Sequence, residues 1–168
     1  LGMSGPELGA HLRPAAGALV VALTIGACAL PSPYASESRH NLVVKTTTGS
    51  RTPLAATNAW LEVQRVLPGC RGAAEGEVFL RGPVDSLHLP AGRLSNLVFK
   101  FRTSSLLSGG AAGVTSYATL IRPREGYRYE ATVTYESSLF TIDILEIALQ
   151  GASSRKLPRQ DISSCATG

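Results

Sequence analysis

Residues 127–135 read YRYEATVTY, and this stretch indicates the fold more clearly than any other part of the chain. Its odd positions are aromatic or apolar, while its even positions carry a charge or a hydroxyl group. Successive side chains of a β-strand point to opposite faces, so this period of two predicts a strand with one buried face. Tyr127, Tyr129 and Tyr135 lie on the apolar face. They could form a platform on which sugars stack, but the period favours packing in a core.

The same alternation recurs on both sides of this stretch. Residues 97–102 (LVFKFR) and 140–144 (FTIDI) repeat it, with the leucine and both phenylalanines of the first segment pointing inward. The phase slips at Leu145, which predicts a β-bulge. Weaker strands are expected over 60–66, 77–80 and 114–121, and hairpin turns at 90–92, 123–126 and 136–138.

Six or seven short antiparallel strands at this spacing predict an all-β fold, a small antiparallel β-sandwich or a small barrel. Seventeen glycines and ten prolines fit strands that are joined by turns. No helix longer than two turns is expected, and residues 54–60 (LAATNAW) are the best candidate for a short one. We expect a sandwich domain over residues 57–168.

Length and composition limit the class of protein. The chain has 168 residues, which suits one domain of ordinary size. Hydrophobic residues make up 44% and charged residues 17%, so the chain is neither disordered nor highly charged. Sixteen Lys and Arg against twelve Asp and Glu give a net charge of +4. Nucleic-acid-binding proteins carry denser basic clusters, so nucleic acid is not expected as a partner.

The beginning of the chain has the pattern of an export signal. Residues 15–27 (AAGALVVALTIGA) carry no charge and follow Arg13. The run is shorter than the roughly 20 apolar residues that a membrane-spanning helix needs. A basic start, a short apolar run and small residues at its end predict a signal peptide over 1–27. A buried core helix is the alternative, but no amphipathic segment follows that would pack against it.

The end of this signal resembles a lipidation site. Ile25, Gly26, Ala27 and Cys28 resemble the lipobox of bacterial lipoproteins, with Ile25 in place of the usual leucine. The resemblance implies a diacylglyceryl group on the Cys28 thiol, with fatty chains such as palmitate, cleavage before Cys28 and acylation of the new amine. Acyl chains contribute about 0.8 kcal/mol per buried methylene, so they would anchor the protein in a membrane. In bacterial lipoproteins, an aspartate directly after the acylated cysteine favours retention in the inner membrane. This chain has Ala29 at that position, so the resemblance implies the outer membrane, with the protein facing the periplasm.

A competing processing route is open. Ala27, Cys28 and Ala29 also form an ending of the A-x-A type, at which an ordinary signal peptidase cleaves. In that case a soluble periplasmic or secreted protein would begin at Leu30.

A linker is expected after the anchor. Residues 28–56 are rich in Ser, Thr and Pro, which predicts a flexible tether between membrane and domain. Residues 41–45 (NLVVK) interrupt this composition and could form a short edge strand.

Cysteine usage fits an exported protein. With Cys28 assigned to lipid, Cys70 and Cys165 remain, and an even pair in an oxidising compartment predicts a disulfide bond. Two unrelated buried thiols are the alternative. The chain has no Cys-x-x-Cys motif, and its histidines are scattered, so no metal site and no cofactor are predicted. These histidines are His11, His40 and His88.

A second resemblance concerns the sandwich itself. Residues 89–92 (LPAG) precede a strand that ends in Phe101, and residues 124–129 (REGYRY) open a later strand. This order is similar to the PEGA type of small envelope β-sandwich module. The resemblance covers about a third of the chain and implies an extracytoplasmic module without catalytic residues.

Five basic residues fall on predicted outward strand positions or in turns: Lys100, Arg102, Arg122, Arg124 and Arg128. If their strands are neighbours, they form a patch for phosphate-bearing lipids, lipopolysaccharide or acidic wall polymers. The alternative is a solvated face that is neutralised by acidic residues of the same segments, namely Glu125, Glu130 and Glu136.

The acidic residues give no sign of catalysis. Asp143 and Glu146 are three residues apart, so a strand places them on opposite faces unless the bulge expected at Leu145 realigns them. Paired acid/base chemistry needs two carboxyl groups that converge on one cleft, so we expect both to be solvated charges. The chain also lacks the Gly-Lys-Ser/Thr ending of a phosphate-binding loop and the Gly-x-Ser-x-Gly spacing of a nucleophile elbow. No catalytic residue is predicted.

The sequence therefore predicts a lipid-anchored lipoprotein of the cell envelope with a non-catalytic binding or structural role. Its expected partners are the membrane, through the anchor, and envelope proteins or anionic envelope polymers. Two alternatives remain open, namely an envelope enzyme acting on wall or lipid polymers and an accessory subunit of a secretion or assembly complex.

Overall fold

The structure is a computed structural model, and it describes residues 32–35, 39–49, 55–105, 113–136, 139–151 and 153–167. The predicted signal peptide over 1–27, the acylation site at Cys28 and the histidine at position 11 lie outside these ranges. Within the described ranges, no helix is both long enough and apolar enough to cross a membrane.

The described residues form nine strands in two sheets that enclose one core. One sheet has the order β4-β1-β7-β8-β9 and the other the order β3-β2-β5-β6. The predicted all-β sandwich is confirmed, with nine strands in place of six or seven. The strands are β1 (Leu42–Gly49), β2 (Ala55–Leu67), β3 (Arg71–Leu80), β4 (Val84–Leu87), β5 (Ser95–Ser105), β6 (Gly113–Ile121), β7 (Tyr127–Glu136), β8 (Leu139–Ala148) and β9 (Ser154–Leu157).

The alternating stretches of the sequence form the core between the sheets. The inward side chains of residues 97–102 are buried, as are Tyr129 and Tyr135 on the opposite sheet. The Phe101 ring stacks on Tyr135 and on Phe140, with ring centroids 5.5 Å and 5.3 Å apart. These rings join β5 of one sheet to β7 and β8 of the other. Tyr129 and Tyr135 therefore belong to the core and not to a sugar-binding surface.

The expectation of a short edge strand over 41–45 is wrong. β1 lies inside its sheet, where it pairs antiparallel with β4 and parallel with β7. Its side chains Leu42 and Val44 are completely buried, so the strand contributes to the core. The sandwich therefore begins before residue 57 and includes part of the stretch 28–56 that composition marked as a linker.

The expected short helix over 54–60 is wrong as well, because β2 begins at Ala55. Ala59 is buried opposite Phe101, whereas Trp60 lies on the outer face of the sheet opposite Phe79. Alanine favours a helix by only about 0.5 kcal/mol per residue, and pairing with β3 and β5 on both sides outweighs that preference.

The expected β-bulge at Leu145 is also wrong. β8 pairs with β7 over its whole length without a register shift. The inward position after Ile144 is consequently occupied by Glu146, although a carboxylate breaks the apolar pattern there. The irregularity of the sandwich lies instead between β2 and β3, at Val63 and Gln64.

The three predicted turns differ in what they connect. The turn at 136–138 joins β7 to β8 in an antiparallel hairpin, as expected, although residues 137 and 138 themselves lie outside the described ranges. The turns at 90–92 and 123–126 are not hairpins, because each joins strands of different sheets. Gly92 and Gly126 both have φ of +76°, a conformation that glycine adopts without steric cost.

The C-terminal segment ties the two sheets together. After β9 it reaches β6, where the backbone N–H of Leu120 donates to the Gln160 carbonyl at 2.8 Å. A 3-10 helix (Ile162–Thr167) follows, and its Cys165 is bonded to Cys70 in the β2–β3 turn, with 5.8 Å between the Cα atoms. The predicted disulfide is thus confirmed.

Candidate functional site

A cleft of about 790 Å³ lies at the end of the sandwich where β1 and β7 begin and β4 and β8 end; we call it the end cleft. Its volume is in the range of small-molecule sites. Its walls come from the residues before β1, the β4–β5 connection and the β6–β7 turn. The polar side chains that line it are Arg39, His40, Asn41, His88, Arg124, Glu125, Tyr127 and Arg128.

Asn41 fixes the walls of the end cleft relative to one another. Its side-chain nitrogen donates to the Leu89 carbonyl at 2.8 Å, and its side-chain oxygen accepts from the Leu89 N–H at 2.7 Å. Its own carbonyl accepts from the Tyr129 N–H at 2.7 Å. One residue therefore connects the start of β1 to the segment after β4 and to β7.

In both histidines of the end cleft, the ring nitrogen Nδ1 forms a hydrogen bond. His40 Nδ1 lies 2.8 Å from the Ser86 hydroxyl, and His88 Nδ1 lies 2.9 Å from the Arg39 carbonyl. The second contact also fixes the backbone that carries the Arg39 side chain.

Arg124 forms the wall between the end cleft and a second, smaller cleft. Its backbone N–H donates to the Tyr129 hydroxyl at 2.9 Å. Its guanidinium donates to both carboxylate oxygens of Glu146, with 3.1 Å between Nε and Oε2, and lies 4.0 Å from the centroid of the Tyr127 ring. A bidentate ion pair and a cation–π contact thus hold this cation in one place.

Glu146 is a buried carboxylate that is fully used by its neighbours. Its side chain is 3% exposed, and it accepts hydrogen bonds from Arg124, from the Tyr129 hydroxyl at 2.8 Å and from Arg155 at 2.7 Å. Burial alone would raise the pKa of Glu146, but these hydrogen bonds outweigh burial and hold the pKa below its usual value. Burial raises the pKa of Tyr129, which therefore stays a donor.

The second cleft, which we call the side cleft, has a volume of about 360 Å³ and lies between β6 and the β9 segment. Four basic side chains line it, with Glu146 as its acidic residue: Arg122, Arg124, Arg155 and Lys156. Arg124 and Arg155 pair with Glu146, and Lys156 pairs with Asp143 at 2.5 Å. Two carboxylates thus balance half of the four positive charges in the side cleft, and among the described residues no carboxylate pairs with Arg122.

The five cations that the sequence singled out do not form one patch. Arg122 lines the side cleft, Arg128 the end cleft, and Arg124 both. Lys100 and Arg102 lie on β5, on the outer face of the four-stranded sheet.

Lys100 is neutralised where it lies. It pairs with Glu62 and with Glu77, in the second case at 2.7 Å. Burial alone would lower the pKa of Lys100, but hydrogen bonds to both carboxylates raise it above its usual value. Burial alone would raise the pKa of Glu62, and bonds from Gln64 and Lys100 lower it instead. Lys100 is therefore a structural cation and not a free one.

The acidic residues expected to neutralise the patch are also dispersed. Glu130 pairs with Lys45 at 2.5 Å, Glu125 lines the end cleft, and the side chain of Glu136 lies outside the described residues. Within the described part of the chain, no carboxylate pairs with Arg39 or Arg128. In the end cleft, these two guanidinium groups thus have no carboxylate partner among the described residues.

The two carboxylates of β8 lie on opposite faces, as their spacing predicts. Asp143 is 44% exposed and pairs with Lys156, whereas Glu146 is 3% exposed. The expectation that both are solvated is therefore wrong for Glu146, since the regular register of β8 turns it inward.

Sequence reasoning missed six polar residues of the two clefts: Arg39, His40, Asn41, His88, Arg155 and Lys156. Arg39 and His40 fall in the expected linker, and His88 follows a strand of only four residues. The available signal was the pair Arg39 and His40, which precedes the apolar run 42–44 by one residue. Only the parallel pairing of β1 with β7 brings this pair to the end cleft.

Among the described residues, no group of three or more His, Cys, Asp or Glu side chains is placed to hold a metal ion. No protein-family model, curated protein or solved structure matches the chain.

Proposed function

We propose that the protein is a lipoprotein of the cell envelope, anchored by an acylated Cys28 in the outer membrane and facing the periplasm. Its sandwich binds anionic groups of envelope lipids or polymers through the end cleft and catalyses no reaction. The observation that carries this proposal is that Arg39 and Arg128, in a cleft of about 790 Å³, have no carboxylate partner among the described residues.

The compartment is supported by the disulfide. The Cys70–Cys165 bond suits an oxidising environment such as the periplasm, where disulfides persist. The lipobox-like residues 25–28 support attachment to a membrane, and an anchored protein meets phosphate-bearing headgroups and acidic polymers at high local concentration.

The chemistry of the end cleft supports an anionic ligand. Arginine presents a planar fork of donors that matches phosphate and carboxylate oxygens. Arg124 adds a third guanidinium, fixed by Glu146 and Tyr127, at the boundary of the same cleft. Glu125 is the acidic residue among the lining side chains and faces three arginines, of which Arg124 is already paired with Glu146, so the cleft retains a positive balance.

Reversal of both free cations tests the proposal. Binding of Arg39→Glu/Arg128→Glu to phosphatidylglycerol vesicles and to isolated wall sacculi is measured by co-sedimentation, which distinguishes a lipid from a polymer source. A cation near an anionic surface contributes about 1 kcal/mol, so loss of the two cations should raise the Kd roughly 30-fold, and the added negative charges should raise it further.

The matched control is Arg71→Glu/Arg159→Glu, which changes the net charge equally at exposed sites that line neither cleft. This control should lose less than threefold. Equal losses in both variants, or no binding of the unaltered protein to either probe, would refute a role for the end cleft.

Anchoring is tested separately by growth with an alkyne-bearing fatty acid. The unaltered chain should be labelled and should fractionate with the outer membrane, whereas Cys28→Ser should be unlabelled and soluble. An N-terminal peptide that begins at Leu30 in the mass spectrum would exclude the anchor.

A further inference from the structure

Four side chains on the outer face of the four-stranded sheet form a continuous strip, which we call the aromatic strip: Arg102, Trp60, Phe79 and Arg81. Trp60 and Phe79 are cross-strand neighbours on β2 and β3, with ring centroids 5.3 Å apart. The Arg102 guanidinium lies 5.7 Å from the Trp60 ring, and that of Arg81 lies 5.4 Å from the Phe79 ring. The order along the strip is thus cation, ring, ring, cation.

The two rings also form the floor of a groove of about 430 Å³. Its other wall is the segment Pro33 and Tyr34, which pairs with the outer edge of β3 at Glu77. The Tyr34 hydroxyl donates to the His88 carbonyl at 2.8 Å, so this wall is held to the sandwich. Phe79 is 36% exposed, so its ring is accessible from the groove.

The charge of the aromatic strip is positive. No carboxylate among the described residues pairs with Arg81 or Arg102. The nearby Glu77 lines the groove and shares Lys100 with Glu62, so these three side chains leave one negative charge against the two guanidinium groups. The strip therefore offers apolar ring surface between two guanidinium groups that are free to bind anions.

We propose that the aromatic strip binds a saccharide chain that carries carboxylate groups. The C–H face of a sugar ring is apolar and gains from burial against an aromatic face, while its rim bears hydroxyl groups that stay in water. The flanking guanidinium groups match carboxylates on neighbouring sugars by two parallel hydrogen bonds. This surface is distinct from the end cleft and shares no residue with it.

A lipid surface is the less suitable ligand. Insertion into a bilayer needs apolar side chains that project beyond a polar rim. Trp60 is instead half-buried and packed between Phe79 and Arg102, and the groove beside it has a fixed wall. This arrangement suits an extended chain that lies along the sheet.

Trp60 is the single tryptophan of the chain, so its fluorescence reports on this surface directly. The probes are oligogalacturonate, which is acidic, and a neutral chito-oligosaccharide of equal length. Oligogalacturonate should shift or quench the emission in a saturable manner, with an affinity at least fivefold higher than that of the neutral probe.

Two variants locate the site. Phe79→Ala should weaken oligogalacturonate binding at least tenfold, and Arg81→Gln/Arg102→Gln, which alters only exposed side chains, should do so even if the first variant is unstable. The control Arg39→Gln/Arg128→Gln should leave the Trp60 response unchanged, which separates this proposal from that for the end cleft.

Three outcomes would overturn the proposal. They are no Trp60 response to oligogalacturonate, a response that survives in the double glutamine variant, and a response to phosphatidylglycerol vesicles in the absence of any response to the saccharide. The last outcome would assign the strip to a lipid surface.

Discussion

Replacing both cysteines of the Cys70–Cys165 bond with serine should lower the free energy of unfolding by about 4–5 kcal/mol. The bond joins residues that are 95 positions apart, and a loop of roughly 100 residues restricts the unfolded chain by about 4.7 kcal/mol. The Gln160 carbonyl also accepts a hydrogen bond from Leu120 of β6, a second attachment of this segment, so we expect the loss to act chiefly through the unfolded state. A domain typically has about 5–15 kcal/mol of stability, so this loss would be a large share.

The assay is a urea titration followed by Trp60 fluorescence and far-ultraviolet circular dichroism. The slope of the unfolding free energy against urea should rise, because an unfolded chain without the crosslink exposes more surface. A loss of less than about 1 kcal/mol would refute this reasoning.

A second arm uses the backbone at Cys70, which has φ of +57° although it is not a glycine. A residue with a Cβ is disfavoured there by about 1–2 kcal/mol, so Cys70→Gly/Cys165→Ser should be more stable than Cys70→Ser/Cys165→Ser by about that amount. A less stable glycine variant would show that the left-handed conformation is not a source of strain at this turn.

Three other predictions concern stability. The pKa of Glu146 is lower in the folded protein than in the unfolded chain. The ionised carboxylate therefore stabilises the fold at pH values above its pKa in the unfolded chain, and this stabilisation is lost as the pH falls through its pKa in the folded protein. Urea titrations from pH 7 to pH 3 should therefore show a smaller loss for Glu146→Gln than for the unaltered protein. Gly76→Ala should lower the unfolding free energy by about 2 kcal/mol or more, because its φ is +149° and a Cβ would lie 2.5 Å from backbone. Lys100→Met should be more destabilising at pH 7 than at pH 4, since it leaves Glu62 and Glu77 unneutralised on directly paired positions.

Strands could be predicted from the sequence wherever one face of the strand is buried and the other is exposed to solvent. Residues 127–135 and 97–102 satisfy this condition, and their buried faces agree with the alternation. Residues 54–60 do not, because the weak helix preference of alanine is outweighed by pairing with β3 and β5, which the local sequence does not show. The Leu145 prediction failed for a related reason, since an ion-paired Glu146 can occupy an inward position that apolar periodicity assigns to its neighbour.

The candidate sites were predictable only in part. Arg124 and Arg128 stand in a turn and at a strand start, where exposed cations are easy to recognise. Arg39 comes from a segment that composition marks as a linker, and no local signal reveals that β1 is a central strand. The aromatic strip was not predicted, because the sequence does not show which strand lies beside that of Trp60. Only the register of β2 with β3 places Phe79 opposite Trp60 on the outer face.

The parallel pairing of β1 with β7 is what creates the end cleft. Leu42 lies opposite Tyr129 in this register, so the residues just before β1 arrive beside the β6–β7 turn. An edge strand at the other side of the sheet would carry Arg39 away from Arg128 and leave each cation alone in solvent. Arg124 contributes less net charge, because Glu146 already shares it, and its role is to hold the wall. The affinity of the end cleft for an anion should consequently depend on the guanidinium groups of Arg39 and Arg128. The shape of the cleft should depend on Arg124.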